Sequence, residues 1–160
     1  NMLYNLTNEG VKMKIKNMCS QKNYKKVNEI LETSEFVISE EADVVIIDKN
    51  DDPVILTGFA DDYIVKLNSD SIILIESYSN HIYAKTEKET IQIKCRLYEV
   101  KLLLSEKGFF QVNKSQIINL KSIVKIKPML NYRIKVHLQN GSIVFVSRKY
   151  YHTFIEEFEK

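Results

Sequence analysis

The sequence predicts a mainly β protein, α+β overall, in which a small α/β unit precedes a longer strand-rich domain. Three observations predict it. From Pro53 onward, short β-branched and aromatic runs alternate with polar connections, the pattern of strands and turns. Within that region apolar residues fall at helical spacing in only two places, around Leu97–Leu104 and near the C-terminus. The charge balance also changes sign along the chain: residues 1–67 hold 8 Lys against 12 Asp or Glu, a net −4, whereas residues 68–160 hold 15 Lys or Arg against 9 acids, a net +6. Glu156, Glu157 and Glu159 lie at the extreme C-terminus, so the body of the second part is more basic still, which suits a polyanionic partner.

Residues 1–12 are polar and aperiodic and read as a tail or a mis-assigned start. Asn8–Met13 could be encoded by a purine-rich, ribosome-binding-like stretch, which makes Met13 a candidate natural start. Residues 13–51 form the small unit. Met13-Lys14-Ile15 alternates, and Ser20 is placed to cap a helix whose apolar positions Tyr24, Val27, Ile30 and Leu31 share one face. Phe36–Ile38 and Val44–Ile47 follow as short strands.

Residues 53–160 form the second domain. Strands are expected at 54–59 and 63–67 around an Ala60-Asp61-Asp62 hairpin, then at 72–76, 82–86 and 90–94. A helix at 97–104 carries Leu97, Val100, Leu103 and Leu104 on one stripe, and Gly108 offers a stop. Strands resume at 109–112, 117–120 and 123–127. The last two, 133–138 and 143–146, enclose Asn140-Gly141, a pair suited to the positive φ angles of a type I′ turn. A closing amphipathic helix places Tyr151, Phe154, Ile155 and Phe158 together.

At 160 residues the chain suits one domain of about 100 residues with a small appendage. Its apolar runs of four or five residues fall far short of the roughly 18 needed for a membrane span, and no secretory leader pattern opens it, so no membrane role and a cytoplasmic location are expected. Cys19 and Cys95 form no CxxC pair and read as ordinary thiols. The histidines His81, His137 and His152 lack metal-ligand spacing, the four glycines are too scattered for a phosphate-cradling loop, and no GxSxG elbow is present. No enzyme, cofactor or metal is expected.

What remains are polar strand ends: Ser77-Tyr78-Ser79-Asn80-His81, Asn113-Lys114-Ser115 and Ser147-Arg148-Lys149. Loops on a rigid sheet are where binding groups sit, and these offer hydroxyls for phosphates and His, Lys and Arg for base edges. Taken alone, each loop reads first as a solvated strand end, since loops are generally polar.

From about Pro53 to Phe158 the sequence resembles the LytTR (LytR/AgrA-type) DNA-binding domain. The resemblance rests on Ile72–Ser77, Asn80–Tyr83, Leu97–Val100, the run Phe109–Leu120 with its F-x-x-x-x-[KR]-S-x-[IL]-[IV]-N core, Asn140-Gly141, and Val146–Tyr150. It implies an elongated β–β–β sandwich with two short helices that reads successive grooves through loops. The implied protein is a stand-alone bacterial transcription regulator, response-regulator-like, that binds double-stranded DNA without catalysis, with a homodimer on repeated half-sites as a further possibility. Residue by residue, base reading is implied for His81, Lys114 and Arg148. Phosphate or supporting contacts are implied for Ser77, Ser79, Asn80, Asn113, Ser115, Ser147 and Lys149. Asn113 departs from the family, which often has His there. His81 could instead cover a sheet edge, Lys114 could be a solvated charge, and Arg148 could cap the following helix or pair with Glu156. Asn119, in mid-strand, reads as structural, and Tyr83, Phe109 and Phe110 as core. A protein–protein interaction module that keeps the sandwich without binding DNA is the rival reading, and a small enzyme the third.

Asp43–Asp48 resembles the receiver strand that ends in a phosphorylated Asp. A full receiver needs about five βα units over about 120 residues, however, so Asp48 is expected to be a strand-end or turn residue. Packing, self-association or partner recruitment is expected of this unit.

Overall fold

The structure, a computed structural model, describes residues 12–48 and 53–160. The proposed tail, apart from Lys12, and the junction at 49–52 lie outside the described residues. Two compact units divide near Asp51 and Asp52.

In the first unit, β1 (Lys14–Asn17), α1 (Gln21–Glu32), β2 (Val37–Ile38) and β3 (Val44–Ile46) build a parallel sheet of order β2-β1-β3. Of the four apolar positions expected on the inner face of α1, only Leu31 is buried; Tyr24 and Ile30 are exposed, because three strands of two to four residues cover about one turn of helix. Ser20 occupies the N-cap, but its hydroxyl does not cap. It donates instead to Asp48, whose carboxylate also accepts the Ser20 N–H (2.7 Å) and the Asn23 amide (3.0 Å). An acid there complements the positive end of the helix. The Ser20 hydroxyl leads in holding the Asp48 carboxyl below its ordinary pKa. Burial and the Asp48 charge push the nearby Cys19 thiol up.

The second unit holds β4 (Ile55–Ala60), β5 (Tyr63–Asn68), β6 (Leu74–Tyr78), β7 (His81–Lys85), β8 (Thr90–Ile93), α2 (Leu97–Leu103), β9 (Phe109–Gln111) and β10 (Gln116–Asn119). It ends with β11 (Ile123–Met129), β12 (Arg133–Leu138), β13 (Ile143–Val146) and α3 (Tyr151–Phe158). An antiparallel seven-stranded sheet runs β5-β4-β8-β7-β6-β10-β9, and a second sheet runs β11-β12-β13. The mainly β expectation with two short helices is met. Three 3-10 turns, Ser69–Ser71, Leu120–Ser122 and Arg148–Tyr150, take residues that sequence alone assigns to strands or loops. The first delays β6 to Leu74, leaving Ile72 and Ile73 as buried lead-in.

Strands β6 and β10 are apolar on both sides, and each side serves its own core. Ile75 and Ile117 pack with Leu56, Ile91, Val100 of α2 and Leu104 at its C-cap. Leu74 and Ile118 pack with Ile134, Val136, Val144 and Phe154 of the second sheet and α3. Burying a side chain of this size is worth about 1.5–3 kcal/mol. Buried Asn119 donates to the Ile72 carbonyl (3.0 Å) and accepts the Lys121 N–H (3.0 Å), consistent with a structural role. Gly58 sits where a Cβ would lie 2.2 Å from Ile91 Cγ2, so strand packing requires glycine there.

Two sequence expectations need correction. The β12–β13 hairpin forms, but Asn140 does not share the left-handed backbone of Gly141 (φ 81°). Gly141 N–H bonds the Leu138 carbonyl and Leu138 N–H bonds the Ser142 carbonyl, a longer loop in which one αL glycine suffices. Asn140 spends its side chain on the Ser142 N–H and the Thr86 carbonyl. Tyr83 points away from the buried Ile82 and Ala84 because strand side chains alternate, and its ring meets His81 edge-on at 6.4 Å.

Candidate nucleic-acid interface

The three polar strand ends are tied to one another by main-chain bonds. Ser77 N–H donates to the Ser115 carbonyl (2.8 Å), and Ser147 N–H donates to the Val112 carbonyl (2.9 Å). The 113–115 loop therefore joins the 77–80 loop on one side to the 147–149 loop on the other.

Tyr78 pairs with His81 across a two-residue loop, and Ser79 (φ 48°) and Asn80 (φ 63°) both take the left-handed backbone, the signature of a type I′ turn. This turn fixes the register of His81, the first residue of central strand β7, where it is exposed. The Gln92 side-chain amide lies 3.1 Å from His81 Nδ1 and ties the ring to β8.

Asn113 is fully engaged within the protein. Its Oδ1 accepts the Ser115 N–H (3.0 Å) and hydroxyl (3.2 Å), while its Nδ2 donates to Gln116 Oε1 (2.8 Å) and the Phe145 carbonyl (3.1 Å). It bridges β13 to the loop that presents Lys114. The Ser115 proton is thereby committed to Asn113, and a phosphate, which only accepts, would have to displace that bond. Lys114 is exposed and has no ion pair among the described residues; with Lys101, Leu97, Tyr98 and Gln111 it borders an open cleft of about 370 Å³.

Arg148 opens the 3-10 turn before α3, exposed, with its guanidinium over the Tyr132 ring at 5.8 Å. Among the described residues it makes no ion pair to Glu156, so that alternative is not realised. Ser147 is half-buried and its hydroxyl caps nothing. Lys149 is exposed, with its ammonium 5.4 Å from the Tyr150 ring centre.

Sequence reasoning missed Gln92, Gln116 and Tyr132, whose contacts with His81, Glu76 and Arg148 join segments that no local pattern relates. The outer face of the β11-β12-β13 sheet was also missed. Lys125 lies opposite His137, and Lys127 opposite Lys135, with Arg133 over Phe145 at 5.4 Å. Burial, Lys125 and Lys135 hold His137 below its ordinary pKa. Like charges directly opposite on a sheet are destabilising, so this face is both electropositive and energetically costly.

No cluster of three or more His, Cys, Asp or Glu able to hold a metal occurs among the described residues, and no helix there is long and apolar enough to cross a membrane.

Comparison with known proteins bears on this geometry. The family model of the LytTr DNA-binding domain matches residues 62–159. An uncharacterized HTH-type transcriptional regulator of Staphylococcus aureus strain COL is 28% identical over 95 residues, covering 59% of this chain and 64% of the relative. Its counterpart in bovine strain RF122 is 27% identical over the same extent. The chain thus spans somewhat under two thirds of the length of the curated relatives it matches. Among solved structures, the LytTr DNA-binding domain of a Bacillus cereus response regulator superposes with a TM-score of 0.60 at 23% identity, covering 66% of this chain and 95% of that one, a likeness of fold. With the family model covering well over half of its residues, the chain belongs to the LytTR DNA-binding domain family.

Proposed function

We propose that this protein is a sequence-specific, double-stranded DNA-binding transcription regulator that works in the cytoplasm without catalysing a reaction. One observation carries the reading: the segments that present exposed His81, Lys114 and Arg148 are linked by main-chain bonds, Ser77 to Ser115 and Ser147 to Val112. Rigid presentation lowers the ordering cost of binding. In this reading His81, Lys114 and Arg148 read base edges. Ser77, Ser79, Asn80, Ser147 and Lys149 meet the backbone, and Asn113 and Ser115 support the row. Residues 53–160 act as the binding domain and residues 13–51 as a separate unit, with a homodimer on repeated half-sites as the working assembly.

Selection from a genomic fragment library tests the proposal. Bound fragments should share a motif, and affinity should fall steeply with salt as counterions are released. Absence of any binding across the library would reject it and favour the protein-interaction module.

A further inference from the structure

We propose that Tyr132 is the positioning residue that holds Arg148 ready for base reading, a role that rests on the DNA-reading function above. Tyr132 sits at the β11–β12 hairpin, where it and Asn131 both adopt the left-handed backbone (φ 55° and 62°). That conformation is uncommon for a bulky side chain, costs energy, and persists only where the surroundings impose it. The surroundings here are aromatic. The Tyr132 ring meets Tyr151 edge-on at 5.5 Å and His152 at 5.8 Å, while Tyr151 and His152 pack against each other at 5.3 Å. These two partners open α3, immediately after the 3-10 turn that begins with Arg148. The hairpin is thereby fastened to the element that carries the reader.

The guanidinium lies over the face of the fixed ring at 5.8 Å. A cation–π contact restrains a long side chain without forming a hydrogen bond, so it consumes none of the guanidinium donors. Among the described residues the Arg148 side chain makes no hydrogen bond or ion pair, so its donors remain available for the paired acceptors on a guanine edge. Tyr132 thus acts through Arg148 and is not itself a reader of bases.

The test is a double-mutant cycle on a selected operator, with each base pair varied in turn. Tyr132→Asn removes the ring but keeps a residue that tolerates the left-handed backbone, so the turn survives. Tyr132→Phe keeps the ring. Tyr132→Asn should reduce discrimination at the base pair read by Arg148 by about 2- to 5-fold, the worth of an exposed cation–π contact. Tyr132→Phe should match the parent protein, and in an Arg148→Ala background Tyr132→Asn should cause no further loss. Equal loss on specific and random DNA, a loss that persists without Arg148, or unchanged discrimination would overturn the assignment. If Arg148→Ala itself leaves base preference intact, the base-reading assignment fails as well, which separates the two failures.

Discussion

Replacing Asn113 by alanine distinguishes a structural bridge from a DNA contact. Four hydrogen bonds are lost, to the Ser115 N–H and hydroxyl, to Gln116 Oε1 and to the Phe145 carbonyl. A typical bond contributes a net ~0.5–1.5 kcal/mol, and most of these partners lie where water can replace the side chain. Fold stability should therefore drop by about 2 kcal/mol, the low end of the roughly 2–6 kcal/mol sum. DNA binding should suffer separately, because the loops carrying Lys114 and Arg148 lose their side-chain link. Re-ordering a mobile interface side chain costs about 0.5–1.5 kcal/mol, so two readers cost roughly 1–3 kcal/mol of operator affinity. Random DNA should be affected much less. Denaturant melts give the first quantity and salt-controlled titrations of operator and scrambled duplexes give the second. Unchanged stability combined with a uniform loss on both duplexes would mean that Asn113 contacts DNA directly, and would refute its role as a bridge.

The other predictions follow from local chemistry. Arg148→Ala should cost about 1–3 kcal/mol on the operator and relax preference at one or two base pairs, whereas Lys149→Ala should weaken all sequences alike and shrink the salt slope by about 1; base-by-base titration of both variants checks this. Gly58→Ala should destabilise the fold by about 1–3 kcal/mol through overpacking against buried Ile91, seen as a lower denaturation midpoint. Because its folded pKa is depressed, Asp48 stabilises the first unit above its unfolded pKa, and this contribution disappears as pH falls through the folded value. Asp48→Asn should remove that acid-dependent component from a pH series of melts. Acetyl phosphate should neither modify Asp48 nor change DNA affinity, and a stoichiometric, magnesium-dependent adduct on intact protein by mass spectrometry would reverse this.

The strands of the second unit were legible because each carries a run of β-branched or aromatic residues between polar breaks, and β12 and β13 fall where the pattern puts them. The 3-10 turns were not: Leu120 looks like a strand residue, and the turns at 69–71 and 120–122 are marked by the Asn68 and Asn119 side chains that cap them. Tyr24 and Ile30 show the opposite limit: helical spacing marks a face but not how much sheet exists to cover it. His81, Lys114 and Arg148 were found as polar residues at strand ends, and the family resemblance supplied their roles. Nothing local could show that Asn113 reaches the Phe145 carbonyl or that Tyr132 meets Arg148, because each contact joins segments far apart in the chain.

Strands with apolar residues on both faces carry a hidden cost. A one-residue slip normally expels a strand's apolar face into water, and that penalty pins the pairing. On β10 a slip would keep one isoleucine in an apolar layer but carry Gln116 or Asn119 into the other, so a buried amide opposes it. The Asn119 amide on Ile72 and the Ser77 N–H on Ser115 hold the same alignment. One slipped residue moves Lys114 by about 3.4 Å relative to His81. Successive nucleotides on a DNA strand are also about 3.4 Å apart along the axis. In the proposed DNA-reading function, the amides that hold β10 in register therefore also keep Lys114 and His81 in step with successive bases.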